Sequence, residues 1–264
     1  MIYVVRSLVR RISLACITFT LITSSVVVAQ SSGESTQTQK PTILITGANR
    51  GIGLALSEKF STTGYNVIAT ARKPDKAIKL KNLGVQLEAL DISSQESVDA
   101  LAAKLADQSI DILLNNAGMG GHSTRNFTDL DINKLSRVLN VNSLGALRVT
   151  QGLLANLMQG NRRVVASISS RMGSIEGNSR GCCYGYRASK TALNSFNKSL
   201  AAEFKPDGFT FTVLHPGWVK TAMTSGAATY TTEQSAEHLY KVIDGLSTAD
   251  NGKFYDLFGK EIPW

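Results

Sequence analysis

The chain has 264 residues, of which 43% are hydrophobic and 18% charged. That balance fits one α/β domain with a real core plus a short extra segment, and it excludes a disordered chain. The formal net charge is +8, but the cations are scattered with no basic block between aromatics, so no nucleic-acid partner is expected and the surface suits an anionic ligand instead.

The first 41 residues read differently from the rest. Arg6, Arg10 and Arg11 precede an apolar stretch over 12–29 that ends in the small residues Val27, Val28 and Ala29, and a polar run over 30–41 follows. This is the layout of a secretory signal peptide, so export to the periplasm or beyond is expected. An uncleaved membrane anchor over 1–29 and a cytoplasmic protein are the alternatives, and only the anchor gives contact with a membrane. Cys16, Cys182 and Cys183 show no C-x-x-C spacing, and His122, His215 and His238 stand far apart. No metal site is expected from them. Cys182 and Cys183 are adjacent, a placement that rarely reaches relaxed disulfide geometry.

From residue 42 the organisation becomes regular. Residues 42–45 form a short β-branched run, read as a buried strand. Thr46, Gly47, Ala48, Asn49, Arg50, Gly51, Ile52 and Gly53 follow, and helical apolar spacing begins at Leu54. Glycines at a strand-to-helix turn are what a dinucleotide pyrophosphate requires: a tight turn at Gly47, close backbone approach at Gly51, and helix against strand at Gly53. The second strand, 65–71, ends in Ala71, Arg72 and Lys73 instead of an acid. An acid there would hold the ribose 2′-hydroxyl of NAD; Arg72 together with Arg50 favours the 2′-phosphate, hence NADP(H) over NAD(H). A third strand over 85–90 leads to Asp91 and Ile92 and a helix over 93–106, where Asp91 also reads as a helix-start residue. The fourth strand, 110–114, runs into Asn115, Asn116, Ala117 and Gly118. The small residues allow backbone to approach a cofactor, and the asparagines can tie neighbouring strands together.

A long amphipathic helix is expected over 129–157. It contains Asn140 and Asn142, and a mid-helix asparagine is mildly unfavourable. The fifth strand, 163–168, ends in Ser169 and Ser170. Tyr186 and Lys190 then open an apolar-periodic helix, and their i, i+4 spacing places them on one face. Tyr184 lies two residues earlier but has no lysine four residues on. A sixth strand over 209–214 leads to Pro216, Gly217, Val219 and Thr221.

Taken in order, the T-G-x-x-x-G-x-G loop, N-N-A-G, the serine, the Tyr-x-x-x-Lys pair and P-G-x-x-x-T resemble the short-chain dehydrogenase/reductase family over about residues 42–258. The resemblance implies a single doubly wound Rossmann domain, with a mostly parallel seven-stranded sheet and helices on both faces. It implies an NAD(P)-dependent oxidoreductase acting on a small carbonyl or alcohol, and it leaves a homo-oligomer open. It assigns Asn142 in N-x-x-G to a proton relay through a water, Ser170 to the substrate oxygen, Tyr186 to acid/base work, and Lys190 to the phenol and the nicotinamide ribose. Asp91 and Ile92 would meet the adenine. Asn116, Ala117 and Gly118 would line the cofactor, and Pro216, Gly217, Val219 and Thr221 would clamp the carboxamide. An ammonium beside the tyrosine, with an oxidised nicotinamide, is expected to lower the phenol pKa. The long interval between Ser170 and Tyr186, with Gly252–Tyr255 and Ile262–Trp264 at the end, resembles the C-factor and sniffer-type carbonyl reductase branch.

Overall fold

The computed structural model describes residues 40–121, 127–224 and 227–264. The export signal read in residues 1–29 lies outside the described residues. Seven strands form one sheet: β1 (Thr42–Ile45), β2 (Asn66–Ala71), β3 (Gln86–Ala89), β4 (Ile112–Asn115), β5 (Val164–Ile168), β6 (Thr210–His215) and β7 (Phe254–Asp256). Their order is β3-β2-β1-β4-β5-β6-β7, and every pairing is parallel. This is the doubly wound Rossmann architecture expected from the sequence.

The run of apolar residues in β1 follows from burial on both faces. Ile43 and Ile45 point into one core layer, which includes Leu56 and Phe60 of helix α1 (Gly51–Thr62). Leu44 points into the other, with Leu101 of a helix over Gln95–Lys104 and Val149 of one over Gly145–Gly152. The remaining helices in chain order complete the numbering. Helix α2 is Ile78–Asn82, α3 Gln95–Lys104, α4 Ile132–Leu139, α5 Gly145–Gly152, α6 Leu154–Gln159, α7 Tyr184–Glu203 and α8 Thr232–Asp244. Helix α8 packs on the α1 side through Leu239 and Ile243.

The helix expected over 129–157 is not continuous. Asp131 caps α4 by accepting the Lys134 amide. A π turn over Asn140–Leu144 then widens the chain before α5 begins. Gly145 lies so close to Ile92 that a Cβ would stand 2.9 Å from its Cδ1, and a Cβ on Gly152 would stand 2.5 Å from Val98 Cγ1. These two contacts draw α5 against the loop after β3 and against α3. Apolar spacing does not register the residue that the wide turn inserts.

The sheet is pinned at its amino end by one buried carboxylate. Asp111 accepts the amides of Thr42 at 2.8 Å, Asn161 at 2.8 Å and Arg162 at 3.3 Å. It thereby joins the start of β1 to the segment entering β5. Asp111→Ala strands these donors and is expected to destabilise the protein by about 2–4 kcal/mol. A lower urea midpoint with an unchanged slope would show it, and an unmoved midpoint would refute it.

Candidate active site

Strand order reverses between β1 and β4, and the loops leaving their carboxyl ends meet there. The Thr46 hydroxyl accepts the backbone amides of Asn116 and Ala117, both at 3.0 Å. In return, Asn116 Nδ2 donates to the carbonyls of Thr46 at 2.8 Å and Gly47 at 3.2 Å. The sequence offered no sign that the Thr46 side chain carries this clasp. Gly47 takes φ +64°, and a Cβ on Gly53 would lie 2.4 Å from Asn116 Nδ2 and 2.6 Å from the Gly47 carbonyl oxygen. Only glycine fits either position. Helix α1 therefore starts directly at the loop, with no side-chain cap and no acid in its first turn. Its amides are left for an anion.

A cleft of about 1770 Å³ opens above these loops. Asn49, Arg50, Gly51, Ile52 and Arg72 line one side with Asp91 and Ile92. Asn116, Ala117 and Gly118 also line the cleft. The Asp91 carboxylate accepts the Ser93 hydroxyl at 2.6 Å and the Ser93 amide at 2.9 Å. The Ser93 hydroxyl holds it below the usual range against partial burial, helped by the Ser93 amide and the charge of Arg72. Asp91 thus shapes the turn before α3, whose cap is Ser94, and still faces the cleft.

At the other side, β5 delivers two serines with different fates. Ser169 is buried and donates to Asn194 Oδ1 at 2.7 Å. Ser170 lines the cleft with Tyr186 and Lys190. Helix α7 begins at Tyr184, two residues earlier than its apolar pattern suggested, and carries both Tyr186 and Lys190. Lys190 Nζ donates to the Ile168 carbonyl at 2.8 Å and stands 5.9 Å from the Tyr186 ring centroid. Burial pulls the Lys190 pKa down to about 8. Burial also pushes the Tyr186 phenol up, with a hydrogen bond to Ser170 acting the other way. In the protein without cofactor, desolvation of a phenolate outweighs the Ser170 hydrogen bond. Tyr184 is 40% exposed, and its ring lies 6.0 Å from that of Phe127.

Asn142 sits in the π turn and is buried beneath the cleft. Its Oδ1 accepts the Met119 amide at 2.8 Å, and its Nδ2 donates to the Met119 carbonyl at 2.9 Å and Ser189 Oγ at 3.0 Å. Both amide hydrogens are thus taken by protein groups. Its side chain ties the loop after β4 to α7 beside Lys190.

The segment after β6 closes the cleft. Pro216 accepts the Ser235 hydroxyl at 2.7 Å, and Gly217 takes φ +84° under the Tyr230 ring. Val219 pairs with Tyr230, and its carbonyl accepts Thr224 Oγ1 at 2.8 Å. Thr221 Oγ1 accepts the Met223 amide at 3.3 Å. Met119, whose loop the sequence offers as pocket lining, does line the cleft; sequence reasoning missed Met172, His215 and Trp218, which line it too. No local pattern marks them, since long-range packing brings them there. His215 is pulled down to about 4 by burial and by Arg171, with Asp256 opposing. Among the described residues, no cluster of His, Cys, Asp or Glu could hold a metal ion.

The family model for short chain dehydrogenase matches residues 41–231. The C-signal protein of Myxococcus xanthus is 41% identical over 165 residues, covering 62% of this chain and 99% of that protein. The carbonyl reductase Sniffer of D. melanogaster superposes with a TM-score of 0.80 at 28% identity, covering 86% of this chain and 100% of that one. A short-chain dehydrogenase/reductase structure from Burkholderia multivorans with bound NADP gives a TM-score of 0.77 at 30% identity, covering 85% and 100%. The chain belongs to the short-chain dehydrogenase/reductase family and is an NAD(P)-dependent oxidoreductase.

Proposed function

We propose that this oxidoreductase reduces the carbonyl of aldehydes or ketones, with NADPH as its cofactor and Tyr186 as the proton donor. The observation that carries the reading is the convergence of Ser170, Tyr186 and Lys190 in the cleft that also holds the glycine loop. Bound there, the cofactor supplies the hydride. The uncapped start of α1 and the loop at Gly47–Gly53 fit its pyrophosphate. Arg50 and Arg72 fit a 2′-phosphate, and β2 ends in Ala71 with no acid to compete. Ser170 holds the substrate oxygen, and Tyr186 gives it a proton. Lys190 stands behind the phenol on the same helix and offers its ammonium to the ribose and to the proton path. The carbonyl reductase named among the structural neighbours, and the neighbour that holds NADP, support the same choices. Residues 1–29 are proposed to direct export; Met1 found intact on soluble cytosolic protein would refute that.

Tyr186→Phe is expected to lower kcat by about 10²–10⁴-fold and to leave NADPH affinity unchanged. Steady-state rates with a carbonyl panel and fluorescence titration of NADPH check both halves. Arg72→Ala is expected to weaken NADPH about 10–100-fold and to leave NADH unaffected. Tighter binding of NADH than NADPH by the wild type would refute the cofactor assignment.

Lys190 also makes a stability prediction for the protein without cofactor. Its folded pKa lies at about 8 against an ordinary 10.5. Between those values the unfolded chain holds the proton and the folded one releases it, so this group's penalty is full below pH 8 and fades as pH rises to 10.5. Lys190→Met should therefore be more stable than wild type at pH 7. The gain is on the order of 3 kcal/mol less the lost hydrogen bond to Ile168, and it should shrink toward pH 10.5. A variant less stable than wild type at pH 7 would overturn this.

A further inference from the structure

Cys182 and Cys183 take no part in the chemistry above, yet they stand at its edge. Gly181, Cys182 and Cys183 have φ of +63°, +62° and +59°. Glycine adopts this left-handed backbone freely, but two consecutive residues with a Cβ are strained in it and must be held there. The conformation has a consequence for the side chains. In a strand or a helix, neighbouring side chains diverge; here the two sulfurs lie 2.7 Å apart. Cys182 is exposed, and Cys183 is half-buried and lines the cleft. Cys183 is also the residue from which α7 starts, three positions before Tyr186.

We propose that Cys182 and Cys183 are a reversible redox pair that closes into a vicinal disulfide at the mouth of the cleft. The oxidant is a low-molecular-weight disulfide of the glutathione class. The exposed Cys182 thiolate attacks one sulfur of that disulfide, forms a mixed disulfide and releases one thiol. The Cys183 thiolate then attacks the Cys182 sulfur, forms the Cys182–Cys183 bond and expels the second thiol. Two protein thiols are oxidised, one external disulfide is reduced to two thiols, and both protons leave with them. Adjacent Cα atoms are about 3.8 Å apart, short of the roughly 4.4–6.8 Å of ordinary disulfides. The bond is therefore strained and easily reduced, as labile regulatory disulfides are. Ring closure stiffens the turn that launches α7, and through it shifts Tyr186 and the cleft wall at Cys183. This effect on rate rests on the reductase reading; the closure itself does not.

The test uses the folded full-length protein, reduced, exposed to oxidised glutathione, alkylated and cut with trypsin after Arg180 and Arg187. The 181–187 peptide is expected without alkylation and lighter by two hydrogens than its dithiol form, and dithiothreitol should restore both thiols. Cys182→Ser and Cys183→Ser should each keep a glutathione adduct on the remaining cysteine. A wild-type peptide that retains glutathione, or that emerges with both thiols alkylated, overturns the pair. In parallel, carbonyl reduction should fall several-fold on oxidation and recover with dithiothreitol, and the double serine variant should ignore the oxidant. A closed peptide with an unchanged rate overturns the coupling to the site. If the reduced protein turns over no carbonyl, the reductase reading fails while the peptide still decides the pair.

Discussion

Thr46 and Asn116 bind the carboxyl ends of β1 and β4 into one corner, and the cleft is built outward from it. Parallel strands whose order reverses leave backbone groups without ladder partners just where their loops part. The Thr46 hydroxyl takes two of those amides, and the Asn116 carboxamide takes two carbonyls. This exchange fixes the path of the glycine loop, which in turn fixes where α1 begins. Gly53 must then be glycine because Asn116 occupies the space of its Cβ. An uncapped helix start facing a cleft leaves polar groups to water in the free protein, and a bound anion would satisfy them.

The reacting side is built on a different balance. Lys190 is buried with one backbone carbonyl as acceptor, and Tyr186 is half-buried against Ser170. Burial moves their pKa values in opposite directions, the ammonium down and the phenol up. Both shifts favour neutral forms. For the proton donor proposed at Tyr186, a phenol that keeps its proton is the required starting state. The buried lysine costs folding stability, and the proposed chemistry gives its ammonium a use there.

How far the sequence could be read follows the range of each constraint. The glycine loop was legible because a positive φ at Gly47 and a filled Cβ position at Gly53 admit almost one residue type. Tyr186 and Lys190 were legible because helical spacing is local. Most strands were legible as short apolar runs, while the doubly wound form was expected from the family resemblance. The π turn at Asn140–Leu144 was not, because the side-chain partners of its Asn142, Met119 and Ser189, lie far away in sequence. The phenol shift was not, because burial depends on the whole domain. Met172 and Trp218 reach the cleft from separate segments and carry no pattern of their own.

The wide turn and Asn142 explain each other. A mid-helix asparagine is unfavourable because its amide competes for backbone groups. Here the turn is wide, and the amide finds its partners elsewhere: both backbone groups of Met119 and the hydroxyl of Ser189. It pairs with Met119 as a second strand would, donor to carbonyl and acceptor to amide. An aspartate lacks the donor for this and a leucine lacks both groups. The residue that joins the loop after β4 to α7 thus sets the spacing between the cleft wall at Gly118 and the helix that presents Tyr186 and Lys190. Asn142 orders the site from beneath it, through the positions of groups it does not replace.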